Sequence, residues 1–134
     1  MSRSGYSEDC QNWDHIRWRG AVQSAIRGAR GQKFLRELVA ALDALPEKKL
    51  IAHELKDENG AVCALGSVAV ARGLDVSGVD LEDRDKVAEV FGIARALAAE
   101  IMFENDDDFG WRSATPERRF EQMRAWAVAQ LAAA

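Results

Sequence analysis

The segment Arg84-Asp-Lys-Val-Ala-Glu-Val-Phe-Gly-Ile-Ala-Arg-Ala-Leu-Ala-Ala-Glu-Ile101 decides the fold. Val87, Val90, Phe91, Ala94, Leu97, Ala98 and Ile101 recur at three- and four-residue intervals and so share one stripe of an α-helix. The stripe crosses Gly92, which fits either one helix over about 82–104 or two helices meeting at that glycine. The same segment has the spacing of a helix-turn-helix motif. Ala88 takes the small position where two helices approach, Gly92 takes the turn, and Val87, Phe91, Ile93, Ala98 and Ile101 take the apolar positions. The expected reading helix is poor in base-reading side chains, offering Arg95 and then Ala96, Ala99 and Glu100. A helical corner or one continuous core helix satisfies the pattern equally well.

Helical periodicity extends on both sides. Trp18, Val22, Ala25, Ile26 and Ala29 form the stripe of a first helix capped by Asn12 or Ser7, with Gly28 and Gly31 bracketing its stop. Phe34, Leu35, Leu38, Val39, Leu42 and Leu45 form the buried face of a second helix beginning near Gln32 and closed by Pro46. The period then changes. Lys49–Leu55 and Ala61–Cys63 flank Asn59-Gly60, the strongest short hairpin signal, so a two-stranded hairpin lying on the helices is expected. Ala64–Arg72 reads as helix ending at Gly73, and Leu74–Val79 as a connector. Asp80 is the expected cap of the next helix, with Asp83 in its first turn. Thr115-Pro116-Glu117 marks the start of a last helix burying Phe120, Met123, Ala127 and Leu131. The expected fold is mainly α: one compact helical domain of five or six helices over 12–134 with one small β-hairpin, preceded by a flexible segment over 1–11.

A chain of 134 residues with a hydrophobic fraction of 48% makes one globular domain and is too apolar for a disordered chain. No apolar run reaches the roughly 18 residues of a membrane span. Met1-Ser-Arg-Ser-Gly-Tyr6 lacks a signal-peptide core, so a cytoplasmic protein is expected, free of membrane partners. Cys10 and Cys63 form no CxxC pair and read as free thiols.

Charge is divided along the chain. Residues 1–36 carry seven basic groups against three acids, and residues 37–134 carry eleven against nineteen. A basic arm on an acidic body orients a molecule before contact. In the arm, Trp13 and Trp18 alternate with Arg17, Arg19, Arg27 and Arg30, as aromatic and cationic groups do in single-strand binders. These four arginines, with Arg95 from the helix-turn-helix segment, are the candidate nucleic-acid contacts. An amphipathic helix with a core tryptophan and solvated arginines explains the same pattern. In the body, Glu104, Asp106, Asp107 and Asp108 form an acidic loop that lacks the register of a calcium loop. Clustered carboxylates of this kind imitate a phosphate track and suit a basic groove on another protein. Trp111 follows the loop and Trp126 stands at the edge of the last helix's apolar face, so both are candidate anchors beside it.

Catalysis has little support. His53 and Cys63 are the one conceivable base–nucleophile pair, and neither hairpin register opposes them directly. HExxH, GxSxG, Walker and GxGxxG patterns are missing, so no enzyme, cofactor or metal site is expected.

Leu45-Pro-Glu-Lys-Lys-Leu-Ile-Ala-His-Glu-Leu55, Val62-Cys-Ala-Leu-Gly66, Glu104-Asn-Asp106 and Arg118-Arg-Phe-Glu-Gln-Met-Arg-Ala-Trp126 resemble small uncharacterised proteins of tailed phages and prophages, over roughly residues 13–130. The resemblance implies a phage context, where many small non-enzymatic proteins bind and disable a host protein, nuclease-based defences included. The expected function is stoichiometric binding to a host protein in the host cytoplasm, an anti-CRISPR-like inhibitor being the concrete form. The alternative is a helix-turn-helix DNA-binding regulator using residues 84–101.

Overall fold

The computed structural model describes residues 12–106 and 115–132, with side chains from Ile16 onward. Six helices follow one another: α1 (Asn12–Arg27), α2 (Ala29–Ala44), α3 (Ala64–Arg72), α4 (Arg84–Phe91), α5 (Arg95–Asp106) and α6 (Pro116–Gln130). Asn12 opens α1, and Ser7 lies outside the described residues.

α1 and α2 are separated by one extended residue, Gly28. The second helix therefore starts three residues before the expected Gln32. Gly31, expected at the stop, instead lies inside α2, because a Cβ there would fall 1.8 Å from the Ala25 carbonyl oxygen. The chain can fold back this tightly only because position 31, in the first turn of α2, carries no side chain. Gln32, which is buried, ties the corner together. Its Nε2 donates to Ile26 O at 2.7 Å and to Gln130 O at 3.0 Å, and its Oε1 accepts from Ala132 N at 2.8 Å. At the other end of α2, Lys48 Nζ donates to the carbonyls of Asp43 and Leu45, satisfying acceptors that the helix leaves unpaired.

The expected hairpin is absent among the described residues. The Asn59-Gly60 turn does form: Gly60 has φ +85, and Asp57 Oδ1 accepts from Asn59 N and Ala61 N at 2.9 Å. Beyond it the pairing reduces to one antiparallel bridge, Lys56 with Val62. The reason is His53, whose φ of +69 turns the chain out of an extended path. In 50–53 only Ile51 N still reaches across, donating to Val62 O at 3.0 Å, while Leu50 N donates to Pro116 O and His53 N to Asp106 Oδ1.

α3 ends as expected at Gly73, which is left-handed (φ +69). The next helix begins later than Asp80. Asp80 spends its carboxylate on Glu82 N in a local turn, and Asp83 becomes the N-cap of α4 by accepting from Lys86 N. Gly92 is also left-handed (φ +70), so the 82–104 stripe is two helices. α5 runs through the middle of the molecule, packing on α1, α3, α4 and α6. All six residues from Leu97 to Met102 are buried. Thr115 caps α6 through Arg118 N, and Phe120, Met123 and Ala127 are buried while Leu131 is half-buried. No helix among the described residues is long and apolar enough to cross a membrane.

Two glycines give opposite expectations. A Cβ at Gly66 would lie 1.9 Å from the Leu55 carbonyl oxygen, whereas one at Gly20, exposed in α1, meets nothing within 4 Å. Gly66→Ala destabilises the protein by about 3 kcal/mol or more. Gly20→Ala stabilises it by about 0.5–1 kcal/mol through helix propensity. Urea denaturation of both variants measures the contrast.

Candidate functional site: an acid-rimmed groove

The C-terminal end of α5 anchors one wall of an open cleft. Asn105 is buried and holds three elements. Its Oδ1 accepts from Ala64 N at 2.9 Å, capping α3, and its Nδ2 donates to Ile51 O at 2.9 Å. Its own carbonyl accepts from Arg119 Nη1 of α6. The neighbouring Asp106 accepts from His53 N at 3.1 Å and from Asn105 Nδ2 at 2.8 Å. These bonds fix segment 51–57 as a wall beside α3. The loop 73–82 forms the opposite wall.

Between the walls lies an open groove of about 880 Å³. Leu55, Ala69, Val70, Leu74 and Val76 supply its apolar surface. Val70 on α3 and Leu74 just past its left-handed end at Gly73 remain 53% and 39% exposed, which leaves apolar surface in contact with water. The rim carries Glu54, Asp57, Asp75, Asp80 and Glu82 against Lys56. Asp75 is held below its usual carboxylate range by the Ser77 hydroxyl and N–H, with weaker help from Lys56 across the cleft. It is therefore ionised at neutral pH. Glu54 and Glu82 make no side-chain hydrogen bond or ion pair among the described residues.

The expected contact residues are placed differently from a free acidic loop. Glu104 and Asp106 belong to the last turn of α5, and both are half-buried. The Asp106 side chain is 9% exposed and faces the backbone of 51–53, with Oδ2 at 3.6 Å from His53 Nδ1. Its charge is engaged internally because the turn at His53 leaves an N–H to satisfy. Trp126 is half-buried and packs against the core as part of its boundary. Asp107, Asp108 and Trp111 lie outside the described residues.

Arg17, Arg19, Arg27 and Arg30 are exposed along α1 and the start of α2. Trp18 is 5% exposed and belongs to the core, so it provides no stacking platform for bases. Arg95 is 3.1 Å from Asp85 of α4. The helix-turn-helix spacing does produce a left-handed turn between two helices, yet burial of 97–102 leaves α5 no free face there for base edges. Segment 84–101 is a core corner.

Cys63 is buried and acts as the N-cap of α3, its Sγ accepting from Gly66 N at 3.4 Å. Burial pushes its thiol up to about 12, with Asp106 nearby adding in the same direction. The His53 side chain is 69% exposed, so the two groups occupy different environments. No group of three or more His, Cys, Asp or Glu among the described residues is placed to hold a metal ion.

The groove was the feature hardest to see in the sequence. Its one trace is Val70 and Leu74, apolar residues four apart that fall outside the buried stripe of Leu65, Val68 and Ala69. Comparison with protein-family models, characterised proteins and solved structures finds no match.

In a Cys10→Ser background the remaining thiol stays unreacted toward a disulfide reagent at pH 8 in the folded protein. It reacts at once in denaturant, because thiolate is the reacting form. Rapid labelling of the native protein would contradict the buried, protonated state of Cys63.

Proposed function

We propose that this is a small phage-type accessory protein that binds a host protein stoichiometrically, an inhibitor of a nuclease-based defence being the concrete form. The observation that supports this reading is the groove, where exposed Val70 and Leu74 sit inside a ring of five carboxylates answered by one lysine. An apolar centre with a charged rim is the make-up of a protein-docking surface. The rim selects the occupant: a basic segment carrying an apolar side chain, with the carboxylates steering its approach and the patch holding it. Burying Val70 and Leu74 removes apolar surface from water, worth roughly 1.5–3 kcal/mol for each side chain fully covered. The phage resemblance supplies the biological setting. Of the contacts expected at the acidic loop and its flanking tryptophans, Asp106 and Trp126 are engaged within the fold, which favours the groove as the binding surface among the described residues.

The test joins capture with stoichiometry. Wild-type protein and a Val70→Lys/Leu74→Lys variant, both exposed-site changes that preserve the fold by circular dichroism, are used as baits in host lysate. The captured partner is then purified and titrated. The expected outcome is a partner retained by wild type and lost at least tenfold with the variant, whose activity falls to its floor at a fixed molar ratio of inhibitor. A partner held equally by both baits, or activity lost progressively at far below one equivalent, would overturn the reading.

A further inference from the structure

Residues 16–36 contain six cations, Arg17, Arg19, Arg27, Arg30, Lys33 and Arg36, and no carboxylate. All six are exposed. They belong to α1 and α2, and no residue of either helix lines the groove. Arg19, Arg27, Arg30 and Arg36 make no side-chain hydrogen bond or ion pair among the described residues. The next carboxylate along α2, Glu37, is already held by Arg72, at 2.7 Å from Nε and 2.6 Å from Nη2. These four arginines thus have no carboxylate partner among the described residues although the whole chain carries a net charge of −4. At physiological salt the screening length is about 8 Å, so local cations rather than the distant acids govern contact.

We infer that the α1–α2 face is a second binding surface, and that its ligand is the phosphate backbone of duplex DNA. Three observations select this ligand. Arg19 and Arg27 of α1 are eight residues apart, about 12 Å along the axis at the helical rise, and Arg30 opens α2 just past the joint at Gly28. Duplex DNA presents one charge per about 1.7 Å of axis, so a row of this length meets several phosphates at once. Between the cations the exposed positions are Gly20, Ala21, Gln23, Ser24, Gly28 and Ala29, all small or polar, with a hollow of about 190 Å³ at the Gly28 joint. Short side chains let guanidinium groups reach a backbone, and Ile16, 59% exposed before Arg17, is the one large apolar side chain exposed on α1 and α2 among the described residues. Trp18 is buried, so single-stranded bases have nothing to stack on and contact is made through phosphates alone. Binding is independent of base sequence, since no base-reading helix accompanies the row. This surface is distinct from the groove, and each can fail without the other.

The experiment uses the full chain and two unrelated fluorescein-labelled duplexes of 20 base pairs, read by anisotropy between 50 and 200 mM salt. Equal affinity for both sequences is expected, with a loss on the order of a hundredfold across that range, as about four phosphate contacts require. Arg27→Glu/Arg30→Glu abolishes binding, and the milder Arg27→Gln/Arg30→Gln weakens it at least tenfold with a shallower salt dependence. No binding at 50 mM salt, binding unmoved by either arginine variant, or tighter binding to a 20-nucleotide single strand than to duplex would each overturn the inference.

Discussion

The side chain of Asn105 is the point on which the rest of the molecule turns. A buried amide must find partners for both its donor and acceptor ends, and an unmade bond there costs about 1–3 kcal/mol. Asn105 meets that demand with Ala64 N and Ile51 O, two backbone groups that have no other regular partner. The first is an orphan donor at the start of α3, and the second belongs to a segment that lacks a strand to pair with. One residue at the end of the central helix therefore adds to the Cys63 cap of α3 and stands in for part of a sheet. Arg119, also buried, extends the same network to α6 by donating to the Asn105 carbonyl.

The surface properties follow from this arrangement. Segment 51–57, held at Asn105 and Asp106, packs its Leu55 carbonyl against Gly66 at the start of α3 and leaves Val70 and Leu74 exposed further along. Had 49–63 closed into a flat hairpin, its outer strand would have had other neighbours, and no wall would face the loop 73–82. The corner at Gly28 and Gly31 has the complementary effect. By folding α2 tightly back on α1 it gathers cations from both helices onto one side. The uneven charge of the linear sequence appears as an acidic groove and a basic α1–α2 surface. Arg72 contributes to the separation: it joins Glu37 on α2 to Phe91 O at the end of α4, with its guanidinium 5.6 Å from the Phe34 ring centre. That contact neutralises the acid closest along α2 to the basic row.

Much of the fold was legible because helices carry local signals. Thr115-Pro116 marked α6, Gly73 ended α3, and the stripe from Val87 to Ile101 was a true core stripe. Whether that stripe broke at Gly92 could not be read, since a glycine is tolerated within a helix and also favoured at a left-handed turn. The hairpin expectation failed for a reason no local pattern carries. Asn59-Gly60 formed its turn, but His53 adopted a left-handed backbone that is rare outside glycine, stabilised by an Asp106 distant in sequence. The candidate site was less legible still. Acidic residues at 104–108 look alike in sequence, yet Asp106 is bound within the fold, and Asn105 among them is the organiser. Tryptophans raised the same difficulty: Trp18 and Trp126 read as anchors or as core, and packing settles them as core and core boundary.

The central claim, that Asn105 and Asp106 hold the groove wall and cap α3, is tested most directly by amide hydrogen exchange at Ala64 and His53. Both amides belong to positions that are unprotected in an isolated helix start or loop, so protection there reports these two side chains. The account predicts slow exchange at both amides in the wild type, approaching that of the buried α5 backbone, and fast exchange at Ala64 in Asn105→Ala while α5 stays protected. Loop-like exchange at Ala64 and His53 in the wild type would contradict it.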